Sequence, residues 1–384
     1  MTDAVSPPIV PELGPSFSTI LNDSELVEAL KARGITLATK VQAASLPEAL
    51  AGHDLIIQAQ TGSGKTLAFV LPLISKLRTL PDFKGTFALI VTPTRELAVQ
   101  VTEVIMSIAP DIKPTCVIGG ANPRAQVRSL KEDPRIVVGT PGRIMDFLQG
   151  GELNLKKCAH FVLDEADEML SMGFVEEVKT ILSRLPKPRQ GFFFSATVTP
   201  RVQSLSKSFL NNPKIITIES ATESAPDIEH FFCRVDGGIT SKSDALVKII
   251  EIYKPLSAIV FCNTKSDTEL VEVMLKRKGL DAQRINSDLS QSQRDGIMKN
   301  LRDGTLRFLI ATDVAARGID IEQLDLVVNY SIHNESETYV HRTGRTGRAG
   351  RSGKAISLVG PHDFSAFYSL TRALTVKIKE LSLP

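Results

Sequence analysis

The sequence predicts an α/β protein of two halves, each a mostly parallel β-sheet flanked by helices, joined by a short linker. Three observations predict it. Short apolar runs alternate with segments of helical spacing along most of the 384 residues, the rhythm of a parallel sheet covered on both faces. A glycine-rich turn, Gly62-Ser63-Gly64, separates one such run from the helix after it. The rhythm stops once, at the polar stretch Glu219–His230, and then resumes.

The elements follow in order. Residues 1–16 carry Pro7, Pro8, Pro11 and Pro15 and read as an irregular lead-in. Leu26, Ala29 and Leu30 begin a helical pattern near Glu25. Strands are expected at Asp54–Gln58, Ala88–Val91, Arg135–Gly139, Phe161–Leu163 and Phe192–Phe194, with helices from Lys65 and over Glu96–Ser107. Beyond the polar stretch, strands are expected at Ala258–Phe261, Arg307–Ala311, Leu326–Asn329 and Ala355–Leu358. This gives a first domain over 1–218, a linker over 219–230 and a second domain over 231–384, with a helix in 359–384.

Composition excludes several classes. Hydrophobic residues make up 42% and charged residues 23%, which is globular and not disordered. No apolar run reaches the roughly 18 residues of a membrane helix, and Met1–Pro8 lacks the basic and apolar regions of a secretory leader. A cytoplasmic protein with no membrane partner is expected. Cys116, Cys158, Cys233 and Cys262 lie too far apart for a CxxC site. With 45 basic and 43 acidic residues, any nucleic-acid surface must be local and made by the fold. Trp is absent and aromatic residues are 5%, so a broad stacking platform for bases is not expected.

The strongest local pattern is Ala59-Gln60-Thr61-Gly62-Ser63-Gly64-Lys65-Thr66, between a strand and a helix. That is the setting of a phosphate loop, here with Ala59 in place of the usual first glycine. Gly62 and Gly64 let backbone N–H groups approach phosphates at a helix N-terminus. Lys65 supplies charge to the β/γ-phosphates, and the Thr66 hydroxyl suits Mg²⁺. Further along, an apolar strand ends in Asp164-Glu165. Asp164 would hold Mg²⁺ through water, and Glu165 would be the base or orienter of an attacking water. ATP and Mg²⁺ are the expected cofactors.

Asp164-Glu165-Ala166-Asp167 reads D-E-A-D. With the phosphate loop upstream, the chain resembles the DEAD-box ATP-dependent RNA helicases of superfamily 2, from Phe17 to about Leu358. Other motifs stand in the family's order: Pro93-Thr94-Arg95-Glu96-Leu97-Ala98, Gly119-Gly120, Thr140-Pro141-Gly142-Arg143, Ser195-Ala196-Thr197, Ile259–Asn263, Gln291-Ser292-Gln293-Arg294, the stretch Ala311–Asp320 and His341–Arg348. The resemblance implies a minimal core of two RecA-like domains. ATP would be held by Thr61, Gly62, Ser63, Gly64, Lys65, Thr66, Asp164 and Glu165. Arg345 and Arg348 would reach the γ-phosphate, and Asp320 the ribose or γ-phosphate. Gln42 would read adenine, and Phe17 would stack on it.

The resemblance also implies RNA contacts, mainly to the backbone and therefore with little sequence specificity. The candidates are Thr94, Arg95, Gly120, Thr140, Gly142, Arg143, Arg294 and Thr312. Ser195 and Thr197 would bond to Asp167 and, with His341, couple the two sites. Target choice would fall to protein adaptors. The chain departs from the family pattern at Ile35 and Ala38, usually aromatic and proline, which loosens the lead into Gln42. Asn286-Ser287-Asp288 replaces His-Gly-Asp, and Ser331-Ile332-His333 replaces Asp-x-Pro. An ATP-dependent RNA clamp and a DNA-directed motor on the same core are competing readings. Glu165, Arg345 and Arg348 argue against the clamp.

Overall fold

Apolar runs such as Ala-Leu-Ile-Val at Ala88–Val91 have both faces to bury, and a parallel sheet with helices on each side buries both. The computed structural model describes residues 14–59, 62–218, 228–236, 239–286, 288–316, 324–333, 336–347, 352–374 and 376–383. They fall into two compact units, residues 14–218 and 228–383.

The first unit holds β1 (Leu55–Gln58), β2 (Ala88–Val91), β3 (Thr115–Val117), β4 (Ile136–Gly139), β5 (His160–Leu163), β6 (Gln190–Ser195) and β7 (Lys214–Thr217). They form a 7-stranded sheet in the order β3-β4-β2-β5-β6-β1-β7, with every pairing parallel. Side chains alternate between its faces. Leu55, Ile57, Ala88, Ile90, Phe192 and Phe194 pack into one core, and Ile56, Leu89, Val91 and Phe193 into the other.

The second unit holds β8 (Ile228–Arg234), β9 (Ala258–Cys262), β10 (Ala282–Ile285), β11 (Phe308–Thr312), β12 (Leu326–Asn329), β13 (Gly353–Val359) and β14 (Ile378–Glu380). Its 7-stranded sheet runs β10-β11-β9-β12-β13-β8-β14, again all parallel. Adding seven to each label of the first order gives the second.

The linker expected over 219–230 runs too far: Ile228–His230 already belong to β8, paired with Gly353–Ala355 of β13. Residues 219–227 lie outside the described residues. After β13 the expected helix is Phe364–Ala373, and β14 follows it at the sheet edge. Among the described residues no helix is long and apolar enough to cross a membrane, and no cluster of His, Cys, Asp and Glu suits a metal ion.

Strand order places the chemistry. In open parallel sheets, ligands bind beyond the carboxyl ends of the strands. β5, β6 and β1 are neighbours, so their ends bring Asp164-Glu165, Ser195–Thr197 and the phosphate loop together. β3, β4 and β2 are neighbours on the other side and gather Gly119-Gly120, Thr140–Arg143 and Thr94-Arg95.

Candidate functional site

The phosphate loop turns into the helix Lys65–Arg78 at Gly64, whose φ of 92° is left-handed. Only glycine adopts it without penalty, and a Cβ there would lie 2.5 Å from Gln42 Nε2. Lys65 is buried, and its Nζ donates to the Ala59 carbonyl at 3.1 Å. That hydrogen bond holds the ammonium at the base of the loop. Thr66 lies half-buried in the first helical turn.

Asp164 follows β5 and is buried. Burial pushes its carboxyl above the usual carboxylate range, opposed by Lys65 and by the Glu165 N–H that it accepts at 3.0 Å. Glu165 is half-buried in left-handed backbone, φ 51° and ψ 53°, at the start of the helix Ala166–Ser171. A non-glycine residue in that region is uncommon and concentrates at functional positions.

Two residues on, Asp167 ties this turn to the end of β6. Its Oδ2 accepts from Thr197 N at 2.8 Å and from Thr197 Oγ1 at 2.9 Å. Its own N–H donates to Ser195 Oγ at 3.2 Å, and that hydroxyl donates to the Thr197 carbonyl at 2.7 Å. Ala59 N donates to the Ser195 carbonyl at 3.0 Å, so the phosphate loop joins the same web. The expected bonding of Ser195 and Thr197 to Asp167 is therefore present within the first unit.

Gln42 completes a capping box with Thr39 at the start of the helix Lys40–Leu50. Its Oε1 accepts from Thr39 N and its Nε2 donates to the Gly64 carbonyl, both at 2.9 Å. The side chain braces the phosphate loop, leaving one N–H and one lone pair of the amide for a base. Phe17 departs from expectation. Its ring is only 1% exposed and belongs to the core with Leu21, Leu26 and Leu30. A ring enclosed by apolar neighbours presents no face to a base, so Phe17 is a packing residue.

The other three strand ends form a second surface. Thr94 caps the helix Arg95–Ile108, its Oγ1 accepting from Leu97 N at 3.4 Å. The Arg95 guanidinium lies along Gly119 and Gly120, so close that a Cβ on Gly120 would fall 2.2 Å from it. Gly120 is exposed, with φ 77°. Thr140 starts the helix Pro141–Gly150 without a side-chain capping bond, and Gly142 is exposed in its first turn. Arg143 folds back toward Phe147, its guanidinium carbon 5.4 Å from the ring centroid. These residues gather at the ends of β3, β4 and β2.

In the second unit, Thr312 is half-buried at the end of β11. Arg294 is buried and donates to the Ala315 carbonyl at 3.1 Å. It supports the short helix Asp313–Ala316 after β11 rather than presenting its charge outward. His341 and Arg345 are half-buried, and both line a small cavity with Asp313 and Arg342. Thr61, Asp320 and Arg348 lie outside the described residues.

Sequence reasoning missed Arg342. It is 2% exposed and sits 5.2 Å over the Phe261 ring. It pairs with Asp313 through Nε–Oδ1 and Nη2–Oδ2 contacts, both 2.6 Å. Its other partners come from the ends of two further strands, Asn263 after β9 and Asn329 and Ser331 at β12. It stands inside the run His341–Arg348, but nothing in the sequence of that run marks it as the residue that ties strand ends together.

Residues 39–205 match the DEAD/DEAH box helicase family, and residues 241–350 match the helicase conserved C-terminal domain. The crystal structure of a DEAD box protein from the hyperthermophile Methanococcus jannaschii is 37% identical, covering 95% of this chain and 99% of that one, with a TM-score of 0.51. This chain belongs to the DEAD-box helicase family. The ATP-dependent RNA helicase DeaD of Escherichia coli K12 is 41% identical over 376 residues, which are 97% of this chain and 59% of that protein. The chain therefore spans well under two thirds of such relatives. S. cerevisiae Dbp5 bound to RNA and ADP BeF3 matches with a TM-score of 0.83 at 29% identity, covering 96% of this chain and 95% of that one.

Three departures from the DEAD-box pattern, at Ala38, Asn286 and Ser331, have local explanations, and Ser287 lies outside the described residues. Ala38 has an N–H that proline would lack, and it donates to the Pro15 carbonyl at 3.0 Å. Gly14 N donates to the Ala38 carbonyl at 2.6 Å and Phe17 N to the Thr36 carbonyl at 3.3 Å. The lead into Gln42 is thus clipped to the segment before it, not loosened. Asn286 is buried and accepts from Asp288 N at 3.1 Å, folding its turn with a side-chain bond. At Ser331 it is the carbonyl that matters, accepting from Arg342 Nη1 at 2.7 Å.

Proposed function

We propose that this chain is an ATP-dependent RNA helicase whose RNA-stimulated ATP hydrolysis separates short duplexes locally or remodels RNA–protein complexes. The observation that carries the reading is the Asp167 web. It joins the turn that follows the acidic pair, the end of β6 and the start of the phosphate loop into one hydrogen-bonded unit. In this reading the chain works in the cytoplasm on RNA, with adaptors choosing the target.

The residues present fit Mg²⁺-ATP. Gly64 takes the left-handed turn that lets the loop enter the helix, Lys65 is held at the loop, and the buried Asp164 carboxyl feels its charge. Thr66 and Asp164, the latter through water, would hold the metal. When bound, Mg²⁺ neutralises charge on the phosphate oxygens. Lys65 and the loop amides from Gly62 onward bind the phosphates. The remaining N–H and lone pair of Gln42 read adenine. Glu165 orients the attacking water and takes its proton. Arg345 and Arg348 supply fork-shaped positive charge for the γ-phosphate, worth roughly 10³–10⁵ in rate. RNA is gripped by its backbone at Thr94, Arg95, Gly120, Thr140, Gly142, Arg143 and Thr312.

Steady-state hydrolysis with no nucleic acid, with single-stranded RNA and with the matched DNA tests this reading. Stimulation by RNA alone, lost by at least roughly 10²-fold in Glu165→Gln, is expected. Equal rates with and without RNA, or a Glu165→Gln enzyme as fast as the parent, would overturn it.

A further inference from the structure

Arg342 uses its entire side chain. A guanidinium has five N–H donors in a planar fork, and here each has an acceptor. Nε donates to Asp313 Oδ1 at 2.6 Å, and Nη2 to Asp313 Oδ2 at 2.6 Å and Asn263 Oδ1 at 3.0 Å. Nη1 donates to the Ser331 carbonyl at 2.7 Å and Asn329 Oδ1 at 3.4 Å. Asp313 follows β11, Asn263 follows β9, and Asn329 and Ser331 end or follow β12. These three strands are neighbours in the sheet. One buried cation therefore staples three adjacent strand ends. The acceptors are fixed in turn: Asn263 Nδ2 donates to the Ile332 carbonyl at 2.9 Å, and Asn329 Nδ2 to Ser357 Oγ at 3.2 Å.

The two ends of this staple are next to residues with expected roles. Asp313 is adjacent to Thr312. Arg342 lies in the last turn of the helix Ser336–Thr343, and Arg345 N donates to its carbonyl at 3.3 Å. Resting on the function proposed above, we infer that the Arg342–Asp313 pair is the positioning device that locks the RNA-contacting end of β11 to the turn presenting Arg345. With all its N–H groups engaged inside the unit, Arg342 acts through position: it sets Arg345 relative to Thr312. Lysine keeps the charge opposite Asp313 but offers three donors on a flexible stem, so it cannot hold all four partner residues.

The test is Arg342→Lys, with Leu246→Ala as the stability control. Leu246 is fully buried in the core on the other face of the same sheet. A displacement of about 1 Å in a positioned group costs about 10²-fold. Arg342→Lys is therefore expected to lower RNA-stimulated kcat by about that factor, with KM for ATP changed less than about threefold. Leu246→Ala is expected to lower the melting temperature and keep kcat within about twofold. An Arg342→Lys enzyme with parental kcat overturns the inference, as does a Leu246→Ala enzyme that loses kcat equally.

Hydrogen exchange gives a readout independent of hydrolysis. In Arg342→Lys, the amides of Thr312–Ala316 and of Gly344–Gly347 are expected to exchange faster together. Loosening confined to the substituted segment overturns the pairing, even if the parent proves not to be RNA-stimulated and the proposed function falls.

Discussion

Gly142→Ala separates a place kept clear for a ligand from one where the fold itself needs glycine. An ideal Cβ on Gly142 meets no heavy atom within 4 Å, and the residue sits in the first turn of the helix Pro141–Gly150. The fold has no use for the missing methyl. Alanine is favoured over glycine in helices by up to about 1 kcal/mol, partly through the unfolded chain. For a unit of this size that raises the melting temperature by about 2–4 °C. If an RNA phosphate comes down on the amides of this turn, the methyl lies in its path. Losing one charge-assisted hydrogen bond costs about 1.5–3 kcal/mol, or about 10- to 100-fold in Kd. The assay is fluorescence anisotropy with labelled single-stranded RNA, beside thermal melting of the same protein. Gly139→Ala is the contrast, because its Cβ would fall 2.3 Å from the Val117 carbonyl oxygen, and it should lose stability outright. A Gly142→Ala protein that melts higher and binds RNA as tightly as the parent would refute the phosphate contact. One that melts lower would refute the claim of open space.

His160 predicts an acid-sensitive first unit. Burial holds its pKa down at about 4, against an ordinary 6.5, and its ring stacks on Phe87 at 4.3 Å. The unfolded chain binds the proton more readily, so stability is lost as pH falls from about 6.5 toward about 4 and levels off below. The ceiling on that loss is about 3 kcal/mol. Denaturant melts of the parent and of His160→Phe across this range should show a shallower pH slope in the variant. Ala38→Pro removes the N–H donated to Pro15. It should cost about 1 kcal/mol and speed proteolytic cleavage before Phe17, measured by melting and by limited digestion.

The central strands were legible because burial on both faces writes them as uninterrupted apolar runs, as at Ala88–Val91. The strands left out of the sequence reading lie at or near sheet edges. β3 reads Thr-Cys-Val, β7 Lys-Ile-Ile-Thr, β10 Ala-Gln-Arg-Ile and β14 Ile-Lys-Glu, all too short or polar to stand out, and β8 begins inside the stretch read as linker. The phosphate loop and D-E-A-D were readable because their chemistry is contiguous in the chain. Arg342 was not, since Asn263, Asp313, Asn329 and Ser331 meet only through the order β11-β9-β12. Phe17 shows the opposite limit: an aromatic near a nucleotide loop looks the same in sequence whether it faces a base or the core. Ala38 likewise looked like a lost constraint until its N–H had a partner.

The identical wiring of the two sheets bears on ancestry. Seven parallel strands can be ordered in very many ways, yet β8–β14 repeat the sequence of crossings made by β1–β7. Duplication of a single ancestral half would leave this pattern, with the side chains drifting while the crossings stayed fixed. Each copy then inherited a rim of strand ends suited to ligands. One copy has its glycine loop after β1, whereas the counterpart strand β8 ends in Phe-Phe-Cys-Arg. In the second rim the ends of β9, β11 and β12 instead meet at one buried cation, Arg342.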